Sequence, residues 1–182
     1  VAAFTIYLVS GFRVNKETNT FTPLTLLSGL APPVGYSFIY PNDCPNNLEC
    51  FTDLKAGLAH AKKVNKPIML DFTGYACVNC REMEASVWSD PEILKMMKED
   101  FVVVALYCDD KTELPEDKWV TSKVDGRIKK TIGDINLDFQ NCHFGNVAQP
   151  LYAILDGKEN LVANVQQYDL DVEKYKQWMK DA

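Results

Sequence analysis

The stretch LDFTGYACVNCREME, Leu70–Glu84, contains two cysteines separated by two residues, Cys77 and Cys80. An apolar run precedes them and a helical pattern follows, which predicts a helix that begins at Cys77. Cysteines at positions i and i+3 of a helix share one face and can form a disulfide. Backbone N–H groups and the helix dipole lower the pKa of a thiol at a helix start. We therefore predict that Cys77 attacks a disulfide and that the more buried Cys80 resolves the mixed disulfide.

Two carboxylic acids flank the cysteine pair and are candidate proton acceptors for Cys80. Asp71 lies six residues before Cys77 within an otherwise apolar strand, where burial raises the pKa of a carboxyl group. A raised pKa suits proton exchange with the thiol of Cys80. Glu84 lies one turn beyond Cys80 on the same helical face and could share that proton or tune Asp71 by like-charge repulsion. The structural alternatives are a solvated strand end for Asp71 and a surface position for Glu84.

Metal binding is an alternative use of the same cysteines, as in a zinc or copper domain. Structural zinc takes four Cys or His ligands, often from two paired clusters, and the sequence has no second CxxC motif. His60 and His143 are the histidines of the chain, and His143 could complete a Cys, Cys, His site if the fold brought it to the pair. An inert structural bridge is disfavoured, because closing so small a loop gives little entropic stabilisation. Redox chemistry is the favoured interpretation.

The composition indicates a globular protein with one domain and additional segments. The chain has 182 residues, of which 47% are hydrophobic and 24% are charged. Its formal net charge of −6 argues against a nucleic-acid partner, because phosphate binding requires clustered Lys and Arg. Among its six cysteines, Cys44 and Cys50 flank a turn-rich loop and could form a small disulfide in an oxidising compartment.

Periodicity and turn residues predict the order helix, strand, helical region, strand, insertion, hairpin and helix. The segments are FTDLKAGLAHAKKVNKP, PIMLDF, the helical stretches Cys77–Trp88 and SDPEILKMMKED, FVVVALYC, an insertion at about 109–142 with a helix near Gly133–Cys142, the hairpin PLYAIL, DGKEN and LVANVQQY, and a last helix capped by Asp169 or Asp171. This order predicts an α/β fold with a mixed central sheet flanked by helices on both faces. A strand that begins with proline belongs at an edge or at a special bond, so we predict a cis peptide bond before Pro150.

The N-terminal region predicts a membrane-proximal segment. Val1–Phe12 is almost uncharged but shorter than the roughly 20 helical residues that cross a bilayer. We interpret it as the end of a transmembrane helix, with a strand or helix packed on the domain as the alternative. The following stretch, 15–43, is rich in Pro, Ser, Thr and Gly and is typical of a connector. The predicted organisation is a membrane-proximal segment and connector at 1–43 and a domain at 44–182.

The motif LDFTGYACVNCREME, followed along the chain by NVAQPLYAIL, resembles the thioredoxin superfamily. The longer stretch KPIMLDFTGYACVNCREMEASVWSDPEI is similar to the C-terminal periplasmic domain of the DsbD family of thiol:disulfide interchange proteins. The similarity is strong over residues 59–99 and 145–157 and leaves the insertion unexplained. It implies a thioredoxin fold with Cys77 as the exposed nucleophile, Cys80 as its partner and Pro150 as a cis-proline beside the disulfide. It also implies that Asp71 and Glu84 modulate the cysteines.

The resemblance further implies a function and a location. Such a domain uses its Cys77–Cys80 disulfide and no other cofactor. It accepts electrons from an upstream transmembrane domain and passes them to periplasmic disulfide-bearing proteins or to a second DsbD-like domain. The predicted function is therefore a protein-disulfide reductase at the periplasmic face of the bacterial inner membrane, with a thioredoxin-like isomerase or oxidase as the alternative enzyme.

Some residues depart from the family pattern or lie outside its core motif. Gly74 and Tyr75 replace the acidic or polar residue and the Trp that are common before the first cysteine, so the surface presented to partners is expected to differ. Cys108 ends a predicted strand and Cys142 precedes the loop of Pro150. We expect both near the active-site end of the sheet, as a disulfide or as two buried thiols.

Overall fold

The structure, a computed structural model of the chain, describes residues 1–16, 20–22, 24, 26–27 and 44–182. Its helices are α1 (Ala2–Ser10), α2 (Leu54–Val64), α3 (Val78–Ser86), α4 (Pro91–Glu99), α5 (Ile132–Phe144) and α6 (Val172–Lys180). Its strands are β1 (Val14–Asn15), β2 (Thr20–Phe21), β3 (Cys50–Phe51), β4 (Ile68–Thr73), β5 (Val102–Tyr107), β6 (Val120–Thr121), β7 (Ile128–Lys129), β8 (Leu151–Leu155) and β9 (Gln166–Gln167). Most of the predicted connector lies outside the described residues.

Five strands form the central sheet in the order β3, β5, β4, β8, β9. Strand β5 pairs in parallel with both β3 and β4, whereas β8 pairs antiparallel with β4 and β9. Helices α3 and α4 form the crossover between the parallel strands β4 and β5, because parallel neighbours cannot be joined by a tight turn. This topology confirms the predicted α/β fold with a mixed sheet.

Strands β4 and β5 are the centre of the sheet because nearly all their residues are apolar. Every residue of both strands is buried, as expected for strands that are covered on both faces. The two strands are paired along their full length, from Ile68 opposite Val102 to Thr73 opposite Tyr107. Asp71, in the middle of β4, is the charged exception to the apolar pattern.

Helices cover both faces of the sheet and bury two separate apolar clusters. One cluster, which includes Met69 and Met83, lies under α3, α4 and α6. The other, which includes Leu70 and Phe72, lies under α2 and α5. Successive side chains of a strand point to opposite faces. Asp71 therefore faces the same side as Met69, which is the side that α3 covers.

Aspartate side chains cap the first turns of three helices, and Asp171 is one of the two residues that the sequence predicts as the cap of α6. Asp53, Asp90 and Asp171 accept hydrogen bonds from backbone N–H groups in the first turns of α2, α4 and α6. Such caps satisfy N–H groups that have no partner within the helix. Pro91 occupies the first turn of α4, as expected for a residue without an N–H group. Helix α2 ends at Asn65, which adopts a left-handed conformation.

The predicted strand LVANVQQY is shorter than expected. Leu161 forms an isolated bridge to Leu155, and regular pairing resumes only at β9. The indole N–H of Trp178 donates a hydrogen bond to the carbonyl of Asn164 at 2.6 Å. This hydrogen bond ties the segment before β9 to α6, a tertiary contact that period-two alternation does not encode.

The segment 109–142 contains a small hairpin and a helix that packs on the sheet. Strands β6 and β7 pair antiparallel. Helix α5 then begins after its cap residue Thr131 and is longer than the predicted helix. The rings of Phe139 and Phe144 in α5 contact the ring of Phe72 in β4. This helix therefore covers one face of the sheet.

The N-terminal stretch forms the short helix α1. Its residues are largely apolar and none of them is buried. Within the described ranges, no helix combines the length and the apolar character that a membrane span requires. The interpretation of Val1–Phe12 as the end of a transmembrane helix stays a prediction.

Candidate redox site

Cys77 and Cys80 form a disulfide at the start of α3, with their Cα atoms 5.3 Å apart. Strand β4 leads to a loop at 74–76, and Cys77 is the cap residue of the helix that follows. The sulfur of Cys77 accepts a hydrogen bond from the backbone N–H of Cys80 at 3.2 Å. Cys77 is partly exposed, whereas Cys80 is only 1% exposed. The predicted helix start and the predicted difference in burial are both present.

A groove of about 480 Å³ opens beside Cys77. It is lined by the loop before α3, the start of α3, the end of β5, helix α5 and the loop before β8. The lining residues are Gly74, Ala76, Cys77, Val78, Asn79, Cys108, Asp109, Leu137, Val147 and Gln149. Val78 and Val147 are both more than half exposed. The sulfur of Cys77 is thus open to an incoming protein segment, and apolar side chains border its approach.

Pro150 follows a cis peptide bond, as predicted, and is buried at the start of β8. The residue before it, Gln149, lines the groove together with Cys77. Gln140 of α5 holds this loop in place. Its side-chain N–H donates to the carbonyl of Ala148 at 2.7 Å, and its oxygen accepts from the side-chain N–H of Gln149 at 3.0 Å. Sequence reasoning missed Gln140, because its partners belong to a loop that only the fold brings close.

Asp71 is buried between β4 and α3, with 3% exposure. Its Oδ1 atom has no hydrogen-bond partner among the described residues. Burial raises the pKa of Asp71 to about 7, and the positive charge of Arg81 opposes this rise. A carboxyl group of this kind can release and accept a proton near neutral pH, as the sequence predicts.

Glu84 lies one turn beyond Cys80 and forms an ion pair with Arg81, with 2.7 Å between Oε1 and Nη2. Burial raises the pKa of Glu84 to about 8, while Arg81 lowers it and the charge of Asp71 raises it. The fold therefore brings the two predicted acids into one electrostatically linked group with Arg81, on the side of the sheet that α3 covers. The two structural alternatives, a solvated strand end for Asp71 and a surface position for Glu84, do not hold, because the side chains are only 3% and 11% exposed.

Arg81 is the residue of this group that sequence reasoning missed. It directly follows Cys80, is only 6% exposed and donates a hydrogen bond from Nη2 to the hydroxyl of Thr73 at 3.1 Å. Its Nε and Nη1 atoms have no partner among the described residues. A basic residue three positions before Glu84 is the available signal, but charged residues on an amphipathic helix are usually solvated. Here the guanidinium supplies the positive charge that two buried carboxyl groups require.

The loop before Cys77 is fixed from two sides. The ring of Tyr75 stacks on the ring of Tyr107 with 4.2 Å between centroids. The carboxylate of Asp109 accepts hydrogen bonds from the backbone N–H groups of Tyr75 and Ala76, at 2.8 and 2.9 Å. Asp109 was not a candidate from the sequence, because it follows a different strand and meets this loop only in the folded protein.

Cys108 and Cys142 are free thiols, so the predicted disulfide between them is wrong. The thiol of Cys108 is half-buried near the side chain of Gln140, with 3.5 Å between Sγ and Oε1. Cys142 lies two positions after Gln140 in α5, on the other side of that helix, and its side chain is exposed to solvent. Burial, followed by the charges of Asp71 and Asp109, raises the pKa of Cys108 to about 12. Cys108 is therefore a weak nucleophile at neutral pH.

The structure gives no support to the metal-binding alternative. Among the described residues, no three His, Cys, Asp or Glu side chains form a group that could hold a metal ion. The ring of His143 contacts the ring of Phe139 on α5, and its Nδ1 lies 2.9 Å from the carbonyl of that residue. His60 contacts the ring of Phe51. The hypothetical Cys, Cys, His set does not assemble.

A second disulfide joins Cys44 to Cys50, as the turn-rich loop between them predicts. Cys44 is 2% exposed and belongs to the apolar cluster under α3. Within the loop, the side-chain N–H of Asn46 donates to the backbone carbonyl of Glu84 at 3.0 Å. This disulfide therefore fixes a loop that packs directly on the helix of the redox site.

A comparison with protein-family models assigns residues 49–157 to a thioredoxin-like family, a match that spans more than half of the chain. The chain belongs to this thioredoxin-like family. None of the curated proteins matches it. The matched region contains the cysteine pair, the buried acids and Pro150, so all the predicted site residues lie within the family domain.

Solved structures of thioredoxin-like proteins are similar to this domain in fold. An oxidoreductase named DsbH is 18% identical with a TM-score of 0.51, and the match covers 76% of this chain and 91% of DsbH. The reduced C-terminal domain of DsbD from Neisseria meningitidis is 20% identical with a TM-score of 0.47, covering 71% of this chain and 96% of that domain. A disulphide isomerase from Xylella fastidiosa Temecula1 is 17% identical with a TM-score of 0.47, covering 83% and 95%.

The thioredoxin-like domain therefore combines an accessible sulfur, a buried sulfur and a titrating acid. Cys77 opens to the groove, Cys80 lies inside the domain, and Asp71 faces α3 from β4. Because the pKa of Asp71 is about 7, its carboxylate is a proton acceptor suited to a buried thiol at neutral pH. This arrangement can support thiol-disulfide exchange.

Proposed function

We propose that this thioredoxin-like domain is a protein-disulfide reductase that works through the Cys77–Cys80 dithiol. The observation that carries the proposal is the difference in exposure and surroundings between the two sulfurs. Cys77 lies at a helix start and lines an open groove, whereas Cys80 is buried on α3, the helix that covers the face of the sheet to which Asp71 points, and the pKa of Asp71 is about 7. A purely structural disulfide needs neither an open approach nor a buried titrating acid.

The first step consumes the thiolate of Cys77. Its sulfur attacks one sulfur of a client disulfide, a bond forms between the two proteins, and the second client sulfur leaves as a thiolate that takes a proton from solvent. The N–H of Cys80, 3.2 Å from the sulfur of Cys77, stabilises negative charge on the nucleophile. The apolar side chains of Val78 and Val147 border the groove in which the client segment lies.

The second step uses Cys80. Its thiol loses a proton to the carboxylate of Asp71, and the resulting thiolate attacks the sulfur of Cys77. The bond to the client breaks, and the client sulfur leaves as a thiolate. The client has gained two electrons, and the domain is left with the Cys77–Cys80 disulfide that the structure contains. When Asp71 is ionised, the positive charge of Arg81, which also pairs with Glu84, offsets its negative charge.

The reducing direction and the partners rest on the sequence motif. The similarity of KPIMLDFTGYACVNCREMEASVWSDPEI to the DsbD family supports an upstream transmembrane domain as electron donor. Periplasmic disulfide-bearing proteins or a second DsbD-like domain then receive the electrons, at the periplasmic face of the bacterial inner membrane and with no cofactor besides the disulfide. The second disulfide, Cys44–Cys50, is typical of an oxidising compartment.

Equilibration with mixtures of reduced and oxidised glutathione tests this function. After acid trapping, the masses of thiol-modified peptides report the redox state of each cysteine. We expect a reversible Cys77–Cys80 couple that is more reducing than glutathione. The Cys80→Ser variant should accumulate a mixed disulfide on Cys77, and Cys77→Ser should not reduce a disulfide-bearing test peptide. Cys142→Ser is the matched control, because this exposed thiol lies outside the site.

Two results would contradict the proposal in different ways. If the Cys77→Ser variant still reduces the test peptide, Cys77 is not the nucleophile. A couple that is more oxidising than glutathione favours the isomerase or oxidase alternative and contradicts the reducing direction, while the two-cysteine mechanism remains.

A further inference from the structure

The loop that leads into Cys77 is held by a residue of the neighbouring strand. The backbone ladder between β4 and β5 ends with the N–H of Cys108, which donates to the carbonyl of Thr73 at 2.8 Å. Asp109 is the next residue, and its two carboxylate oxygens accept from the N–H groups of Tyr75 and Ala76. The side chain of Asp109 thus continues the connection between the strands up to the residue before Cys77.

The fit between this carboxylate and the loop is close. A Cβ atom added to Gly74 would lie 3.0 Å from Oδ2 of Asp109, a distance tighter than ordinary van der Waals contact. Two hydrogen bonds from successive N–H groups also fix the orientation of the carboxylate plane. Asp109 and Gly74 therefore form a matched pair, with glycine giving the room that the carboxylate occupies.

The position of this carboxylate has an electrostatic consequence for the nucleophile. Asp109 and Cys77 line the same groove, and the carboxylate binds the backbone of the residue that precedes Cys77. A negative charge at this place disfavours a thiolate on Cys77, because like charges at short range repel. It acts against the helix start, which favours that thiolate.

We propose that Asp109 is a positioning residue of the redox site, which fixes the loop before Cys77 and restrains its thiolate so that the reduced domain is a stronger electron donor. A less stable thiolate makes the dithiol less stable relative to the disulfide, so two electrons leave the domain more readily. This inference rests on the proposed function, because it concerns the same Cys77–Cys80 couple.

Three variants separate the charge of Asp109 from its hydrogen bonds. Asp109→Asn removes the charge at nearly constant shape, Asp109→Glu keeps the charge on a longer side chain, and Asp109→Ala removes both. Asp110→Asn is the matched control, because it removes the same charge one residue further along. The side chain of Asp110 accepts instead from the N–H of Thr112 at 2.8 Å, on the chain that leads away from the redox loop.

The first measurement follows alkylation of Cys77 by iodoacetamide against pH in the reduced chain, read by peptide mass, together with the glutathione equilibrium constant. For Asp109→Asn we expect the alkylation midpoint to move to lower pH and the equilibrium to favour the dithiol by about threefold to tenfold. Asp109→Glu should retain the wild-type midpoint. Asp110→Asn should also retain the midpoint and should change the glutathione equilibrium constant by less than about twofold. Equal shifts in the two Asn variants, or no shift in Asp109→Asn, overturn the electrostatic role.

The second measurement is hydrogen exchange of the Tyr75 and Ala76 amides in the disulfide form. We expect protection to fall by about tenfold or more in Asp109→Ala and to persist in Asp110→Asn, because the carboxylate of Asp109 accepts hydrogen bonds from these amides. Unchanged protection in Asp109→Ala overturns the positioning role. If the wild-type chain has no reversible Cys77–Cys80 couple, the proposed function is wrong. If the couple is reversible but the Asp109 variants change neither its equilibrium constant nor the alkylation midpoint nor the amide protection, only this inference is wrong.

Discussion

Nη2 of Arg81 and Oε1 of Glu84 lie 2.7 Å apart inside the domain, one helical turn from each other on α3. The same Nη2 donates to the hydroxyl of Thr73, so it ties the redox helix to the end of β4. The charge of Arg81 also lowers the pKa of Asp71 against the effect of burial. One buried cation therefore balances two acids that belong to different elements.

Removal of this cation is expected to be costly. Arg81→Met leaves Glu84 and Asp71 without a positive partner. At about pH 9, above the pKa values of both acids, loss of one member of a buried ion pair costs about 3–5 kcal/mol of unfolding free energy. Urea unfolding measures the loss. The double variant Arg81→Met/Glu84→Gln is the matched test, because it removes the orphaned charge and should recover at least half of that loss. A single variant within about 1 kcal/mol of wild type would show that the pair is not needed for stability.

Neutralisation of Asp71 is expected to slow the second step of exchange. Asp71→Asn removes the proton acceptor for Cys80, and general bases contribute about 10²-fold or more to rates. The measurement is release of glutathione from a mixed disulfide preformed on Cys77. The defect should shrink as the pH rises, because hydroxide then supplies the base that Asp71 provides at neutral pH. Asp117→Asn, an exposed acid in the 109–142 segment, is the control, and an equal effect there would exclude a specific role for Asp71.

The stability of the domain is expected to fall as the pH rises toward 8. The pKa of Asp71 is about 7 in the folded protein and 3.8 without burial. Between those values the folded state binds more protons than the unfolded state, so the free energy of unfolding decreases with pH.

Asp71→Asn should reduce this pH dependence. The variant should match the wild type near pH 4 and exceed it by roughly 4 kcal/mol near pH 8. Urea unfolding across this range gives both curves. A difference between the two proteins that does not change with pH would disprove the linkage.

Loss of the Cys44–Cys50 disulfide is expected to affect stability more than redox chemistry. The paired variant Cys44→Ala/Cys50→Ala should lose about 2 kcal/mol of unfolding free energy, as expected for a small closed loop. Because the carbonyl of Glu84 also loses an ordered donor in Asn46, hydrogen exchange in α3 should rise. The glutathione equilibrium of Cys77 and Cys80 should stay within about threefold of wild type. A larger change would assign this disulfide to the redox mechanism itself.

The sequence predicts those parts of the site that depend on residues close together along the chain. The helix that begins at Cys77, the burial of Cys80 and Asp71, and the cis bond before Pro150 follow from local patterns, and the structure contains all of them. The buried strands and capped helices also follow from local patterns, because apolar runs and caps act within a few residues.

The parts that sequence reasoning missed depend on contacts between distant residues. Arg81 meets Thr73, Asp109 meets the loop before Cys77, and Gln140 meets the loop before Pro150. The wrong pairing of Cys108 with Cys142 has a similar origin. The prediction that Cys108 lies near one end of the sheet is correct. Cys142 is exposed because it lies on the face of α5 that points away from the sheet, and the sequence alone does not show which face of α5 covers the sheet.

The antiparallel pairing of Asp71 in β4 with Tyr152 in β8 has a consequence for biosynthesis. A ribosome makes β4 and the cysteine pair well before it makes β8, so the emerging chain carries Cys77 and Cys80 while one flank of β4 is still uncovered. At that stage both cysteines behave as ordinary peptide thiols toward any oxidant they meet. The environment that raises the pKa of Asp71 is completed only when the C-terminal part of the chain has docked.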